Sequence, residues 1–128
     1  FDTYTASNNA RIYYQFIDRF SAFDKVDVKI IPLNHGEYAL QINNPYPFAI
    51  GQESNHRADL RYYLLEGERI LKEGDVIQNL TIKSNQTVRD TVTVPSLSDK
   101  KRYHLRFGLK VQDLPPTINS NRLTISTP

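Results

Sequence analysis

At 128 residues the chain has the length of one domain with a core of its own. The absence of cysteine excludes disulfide staples and thiolate-held zinc, and leaves the redox compartment open. Lys and Arg number 16 against 14 Asp and Glu, a net charge of +2 that argues against a nucleic-acid binder. No apolar run reaches the length that crosses a bilayer.

The first 25 residues read as an extension. Ser7 or Asn8 is placed to cap a helix, and Tyr13, Phe16, Ile17 and Phe20 recur at helical spacing. Ile12, Tyr14 and Phe16 alternate as a strand would, but the spacing as a whole favours a short helix that packs on the rest or leads to whatever precedes it. The chain opens on Phe1 rather than Met, which predicts a segment lost from that side: a signal peptide, a membrane anchor or a further domain.

From Val26 onward strand signals dominate, so the domain is expected to span 26–128. Val26, Val28 and Ile30 alternate with Asp27 and Lys29 until Pro32, and Asn34-His35-Gly36 reads as a turn. Tyr38, Leu40 and Ile42 alternate next, so the two runs should pair as an antiparallel hairpin. Asn44 and Tyr46 each precede a proline, which makes a semi-rigid corner, with Phe48 and Ile50 returning to the core.

Leu60, Tyr62 and Leu64 form another alternating set. Tyr63 and Leu65 are apolar too, so this strand is expected to be buried on both faces. Gly67 suits a tight turn at positive φ, and Gly74-Asp75 predicts a second turn before a strand over Val76 to Ile82. Asn85 marks a turn, and Val88, Val92 and Val94 share one face. Tyr103, Leu105, Phe107, Leu109 and Val111 alternate strictly with polar residues and glycine, the pattern of a strand with one wet face. Leu123 and Ile125 suggest a last short strand after Pro115-Pro116.

Motifs for catalysis are lacking. His35, His56 and His104 have no close ligand spacing, and solvent-exposed histidine is the plainer reading. Glu66, Glu68, Glu73 and Asp75 flank tight turns among Arg69 and Lys72, which reads as a charge-balanced hairpin edge rather than a carboxylate site. No nucleophile elbow or phosphate loop is present.

Three features point to binding. Lys100, Lys101 and Arg102, with Arg106 and Lys110 on the wet face of the next strand, form the strongest basic patch, fit for phosphates, anionic headgroups or an acidic partner. A solvated strand face is the plainer account of it. Tyr46 and Tyr63, with Tyr4, Tyr13 and Tyr14, are tyrosines not assigned to the core and suit protein or glycan contact, against subsidiary packing. Asn79-Leu80-Thr81 and Asn85-Gln86-Thr87 are N-glycosylation sequons, with chance as the competitor in so Asn- and Thr-rich a chain.

The strand followed by Asn44-Pro45-Tyr46-Pro47-Phe48-Ala49-Ile50, the hairpin from Leu60 to Gly74 and the Val92-Thr93-Val94-Pro95 strand end resemble the group 2 late-embryogenesis-abundant (WHy) β-sandwich family. Asn44, Pro45, Pro47 and Phe48 match the corner of that family, and Gly67 and Gly74 match its hairpin glycines. The resemblance runs from about Val26 to Val111; the Ser84–Thr87 turn is generic, and the N-terminal aromatic segment has no counterpart. The pattern is also similar to other immunoglobulin-like modules, among them sandwich domains appended to glycoside hydrolases and those of archaeal surface-filament accessory proteins. The resemblance implies a non-catalytic domain held near a membrane by an N-terminal segment, and it supplies no catalytic residues.

The sequence therefore predicts an all-β, immunoglobulin-like antiparallel sandwich of about eight strands with a short N-terminal helix or extension. Its expected role is that of an extracytoplasmic interaction or scaffolding module, at a cell surface or secreted, with no enzyme activity, cofactor or metal. The partner would be a protein or a second copy, with no nucleic acid and no membrane insertion by these residues. Alternatives are a stress-protective protein, and a carbohydrate-binding accessory domain, which needs a platform of coplanar exposed tyrosines.

Overall fold

The computed structural model describes residues 23–51, 56–112, 114 and 116–126. Eight strands follow in order: β1 (Asp27–Pro32), β2 (Glu37–Asn43), β3 (Ala58–Glu66), β4 (Arg69–Ile77), β5 (Thr87–Thr93), β6 (Arg102–Val111), β7 (Thr117–Ile118) and β8 (Leu123–Ser126). There is no helix among the described residues. The helix expected within the first 25 residues falls outside them, apart from Phe23 to Lys25, which form a turn.

The strands make two antiparallel sheets. The smaller has the order β1-β2-β5; the larger has the order β4-β3-β6-β7, with β8 also paired to β6. The alternation legible in the sequence sets which face turns inward. Val28, Leu40, Ile42 and Val92 of the smaller sheet share one core with Leu60, Leu64, Leu105, Phe107 and Leu109 of the larger. Side chains of this kind contribute about 1.5–3 kcal/mol each when fully buried. The result is β-sandwich-like: two layers around a single core.

The Asn-Pro-Tyr-Pro corner is held by one side chain. Asn44 is 0% exposed. Its Nδ2 donates to the carbonyls of Phe48 (3.0 Å), Ile82 (3.1 Å) and Lys83 (3.2 Å), while its Oδ1 accepts the Tyr46 N–H at 3.0 Å. The side chain thereby satisfies buried backbone groups that the prolines leave without a ladder. Tyr46 stacks on Phe48 and meets Phe23 edge-on, with centroids 5.4 and 5.9 Å apart. The corner is thus tied both to the β4–β5 connection and to the start of the described chain.

A second buried amide stands where β7 gives way to β8. Asn119 Nδ2 donates to the carbonyls of Phe23 and Val26, and its Oδ1 accepts the Leu109 N–H at 2.7 Å. Ser120 Oγ accepts the Phe107 N–H at 2.7 Å. These side chains stand in for strand pairing that the short β7 cannot complete. In the β5–β6 connection, the Tyr103 hydroxyl accepts the Leu97 N–H at 3.1 Å.

The hairpin departs from expectation in one respect. Gly67 takes positive φ (62°) at its tip, as predicted. Gly74-Asp75 does not turn: β4 continues through them to Ile77, and of residues 78–86 only Ile82 makes a bridge, to Ile50. The register against β3 slips between Leu60 and Arg61 and between Leu64 and Leu65, leaving Val76 and Leu71 as the extra residues of two bulges. The bulges absorb the irregularity that reads locally as a turn. Gly74 also admits the Tyr62 ring, which a Cβ would meet at 2.9 Å.

Candidate functional site

The two sheets have unlike backs. In β3 the inward residues Leu60, Tyr62 and Leu64 alternate with Arg61, Tyr63 and Leu65, and the last two are only 2% and 7% exposed. They stand outside the shared core cluster. Beside them on β6, Gly108 is also buried; a Cβ there would lie 2.1 Å from the Thr117 carbonyl oxygen and 3.2 Å from the Tyr63 ring. The two-faced burial expected of β3 is therefore present.

Charges border this apolar strip. Arg61 bonds Asp75 at 2.7 Å and Glu73 at 3.1 Å across the β3–β4 pair. Partial burial works against the Arg61 charge, but the two carboxylates outweigh it and hold the guanidinium above its ordinary value. Burial pushes the Tyr63 hydroxyl above its ordinary value, with Arg61 pulling the other way and Glu73 and Asp75 reinforcing the rise. That hydroxyl is buried, with the Arg61 guanidinium in hydrogen-bonding reach but no bond of good geometry among the described residues.

The back of the smaller sheet is open. Ile31, Ala39, Leu40, Gln41, Arg89, Asp90 and Thr91 line a shallow concavity of about 480 Å³. Ile31 is 46% exposed, and Leu33, just past the end of β1, is 51% exposed. A second cleft of about 300 Å³ follows the outer side of β1 from Asp27 to Ile30, closed opposite by Asn121, Arg122 and Leu123. Beyond the Val28–Ser120 bridge, β1 has β2 as its sole strand neighbour among the described residues. Its polar backbone edge is thus placed beside exposed aliphatic side chains, the arrangement that favours strand addition.

The residues singled out from sequence are dispersed. Lys100 pairs with Glu66 at 3.1 Å. Arg106 donates Nε and Nη2 to the Ser120 carbonyl at 3.3 and 3.1 Å. Lys110 donates to the carbonyls of Val111 and Leu114. Lys101 and Arg102 are exposed. Much of the basic patch is thus spent on closing loops. Tyr46 is half-buried in the corner, where its hydroxyl accepts the Lys25 N–H at 3.2 Å, and Tyr63 is covered rather than exposed. Asn79 and Asn85 are exposed turn residues at φ 54° and 56°, a conformation asparagine tolerates well.

The histidines stay apart. His35 meets Ser96 at 3.1 Å, and His104 meets Thr124 at 3.3 Å. Among the described residues, no group of three His, Asp or Glu stands together as metal ligands would. None of the described tyrosines offers an exposed platform: Tyr38, Tyr62, Tyr63 and Tyr103 are buried and Tyr46 is half-buried. Sequence reasoning missed Ile31 and Leu33. Their signal was the consecutive pair Ile30-Ile31, which breaks the alternation of β1 and sends one aliphatic outward.

No protein-family model matches the chain, and no curated protein matches it. Among solved structures, a DUF3823 family protein from Bacteroides ovatus is similar at 13% identity and a TM-score of 0.46, over 77% of this chain and 52% of that one. The chain thus spans about half the length of that protein.

Proposed function

We propose that the chain is a non-catalytic, immunoglobulin-like interaction module of a cell-surface or secreted protein, which meets a protein partner through the β1 edge and the open back of the smaller sheet. The observation that carries this reading is the exposure of Ile31 and Leu33 beside a strand edge that, past the Val28–Ser120 bridge, has no strand partner among the described residues.

Two features support the immunoglobulin-like part. Strands 1, 2 and 5 face strands 3, 6 and 7, the Greek-key distribution of that fold, and β4 takes the place beside β3 that the added strand takes in variable-type domains. Tyr103 stands second in β6 and binds backbone six residues upstream, as the tyrosine corner of such domains does. The surface role draws support from the exposed sequons at Asn79 and Asn85, whose occupancy mass spectrometry of the protein from its host would read.

Photo-crosslinking in the native host tests the contact surface. A photoreactive residue at position 31 should yield a discrete protein adduct that Leu33→Lys removes. The same residue at position 124, exposed on the larger sheet, should not. Equal crosslinking from both positions would reject the surface. An adduct of two copies of this chain would identify the partner as a second copy.

The stress-protective alternative rests on the Asn44–Phe48 corner, which here has an architectural task. The glycan-binding alternative lacks its tyrosine platform among the described residues.

A further inference from the structure

The edges of the two sheets are guarded unequally. β4 carries two bulges, β5 exposes Arg89 and Asp90, and β8 is only four residues long, all devices that discourage pairing. β1 pairs regularly with β2 from Asp27 to Pro32, and its guards are Lys29 and Pro32.

The ladder fixes which backbone groups β1 offers. The Leu33 N–H bonds the Glu37 carbonyl beside β1, and the Val28 N–H bonds the Asn119 carbonyl on the opposite side. In an antiparallel pair the direction alternates, so Lys29, Ile31 and Leu33 turn their polar groups toward β2, and Val28, Ile30 and Pro32 turn theirs outward. Val28 is taken by Asn119, and Pro32 has no N–H. Past the Val28–Ser120 bridge the edge therefore offers the Ile30 N–H and the carbonyls of Ile30 and Pro32.

One self-pairing fits this set. Two antiparallel copies of β1 centred on Ile30 would set Pro32 against Val28, where Asn119 and Ser120 already stand. Centred on Ile31, they set Ile30 against Pro32, so each Ile30 N–H reaches the Pro32 carbonyl of the other copy. The turn at 34–36 carries each chain away toward β2 before it meets Ser120. Ile31, 46% exposed, then faces Ile31 of the second copy, and Lys29 lies against Leu33, 51% exposed. Lys29 and Glu37 have no ion partner among the described residues. In this register the lysine stem covers Leu33 of the second copy, and its ammonium reaches toward Glu37 beyond it. Like charges do not stand opposite one another.

We propose that the partner at the β1 edge is a second copy of this chain, joined antiparallel about a two-fold axis at Ile31, so that two three-stranded sheets become one continuous sheet. This rests on the β1 edge being the contact surface. Pro32 removes a donor on each side and the contact is short, so the dimer is a weak one that forms at high local concentration.

The chain has no cysteine, so single cysteines read the axis under mild oxidation. Opposed residues that are not hydrogen-bonded stand about 4.5 Å apart between Cα atoms, within disulfide range. Ile31→Cys should therefore form disulfide dimers many times faster than Thr124→Cys, exposed on the larger sheet. Lys29→Cys and Leu33→Cys, each about 14 Å from its own copy, should form few dimers alone and a mixed dimer when combined. Ile31→Arg should abolish the concentration-dependent association that sedimentation shows for the unsubstituted chain. Cross-linking at position 31 no faster than at position 124, or no faster than at position 29 alone, would overturn the two-fold pairing. So would a monomer at every concentration. If photo-crosslinking from position 31 then captures a different protein, the contact surface stands and the second copy falls; if it captures nothing, both fall.

Discussion

The backs of the two sheets are built from equivalent positions and have opposite character. On the larger sheet, Tyr63, Leu65 and Gly108 are buried and the Arg61–Glu73–Asp75 cluster stands at the margin. On the smaller sheet, Ile31 is exposed beside Ala39, Gln41, Arg89 and Thr91, around a shallow open concavity. Both sheets obey the same inward alternation, so the core does not distinguish them. The difference lies wholly in the residues that the core leaves unassigned. A sandwich can therefore bury much of one outer face and leave the other open while both sheets share the same core.

Substitution at matched positions would break or sharpen this contrast. The largest effect is expected at Gly108. Its Cβ would intrude on the Thr117 carbonyl at 2.1 Å, so Gly108→Val should cost about 3 kcal/mol or more, as overpacking against backbone does. Ala39→Val, on the back of the smaller sheet, should change stability by less than about 0.5 kcal/mol. Urea midpoints compare the two, and equal losses would erase the distinction.

Truncation comes next. Leu65→Ala should cost about 2–3 kcal/mol, the lower part of the range for a buried leucine, whereas Ile31→Ala should cost less than about 1 kcal/mol. The reverse order in thermal unfolding would show that the open face is the structural one.

The smallest effect is a pH dependence. Burial raises Tyr63 above its ordinary value of 10.0, so the folded chain keeps this proton where the unfolded chain releases it. The stabilisation is complete below pH 10 and is lost as pH rises toward the folded value. Tyr63→Phe should flatten that alkaline decline. Part of it should remain, because burial, with Tyr103 nearby, also raises Tyr38 on the inner face. An unchanged alkaline limb in Tyr63→Phe would show that the tyrosine is not sequestered.

Much of the architecture was legible in local pattern. The strict alternation of β6 placed Tyr103 to Val111 inward, and the added apolar residues Tyr63 and Leu65 announced a strand buried on both faces. Tertiary choices were not legible. Gly-Asp is sound turn chemistry, yet β3 pairs straight through Gly74-Asp75 because bulges take up the extra residues. Lys100, Arg106 and Lys110 look like one patch, but a charge in sequence does not reveal the carboxylate or carbonyl it will meet. Asn119 carried no signal at all, since its hydrogen bonds join points 93 and 96 residues away. The open back was obscured for the same reason: which aliphatic stays outside depends on what else reaches that face.

The Asn44 clamp has a consequence for time as well as for shape. Its bonds to Ile82 and Lys83 span 38 and 39 residues of chain. They close only once β2 has met the β4–β5 connection, because contacts between distant points must first meet the entropy of loop closure. The clamp is therefore expected to form beyond the folding barrier and to govern how long the folded state persists. In Asn44→Ala, the unfolding arm of a chevron should rise while the folding arm holds; a loss confined to the folding arm would move the clamp into the nucleus. In a chain without cysteine, buried amides such as Asn44 are then expected to take the part of covalent staples in setting the lifetime of the native state.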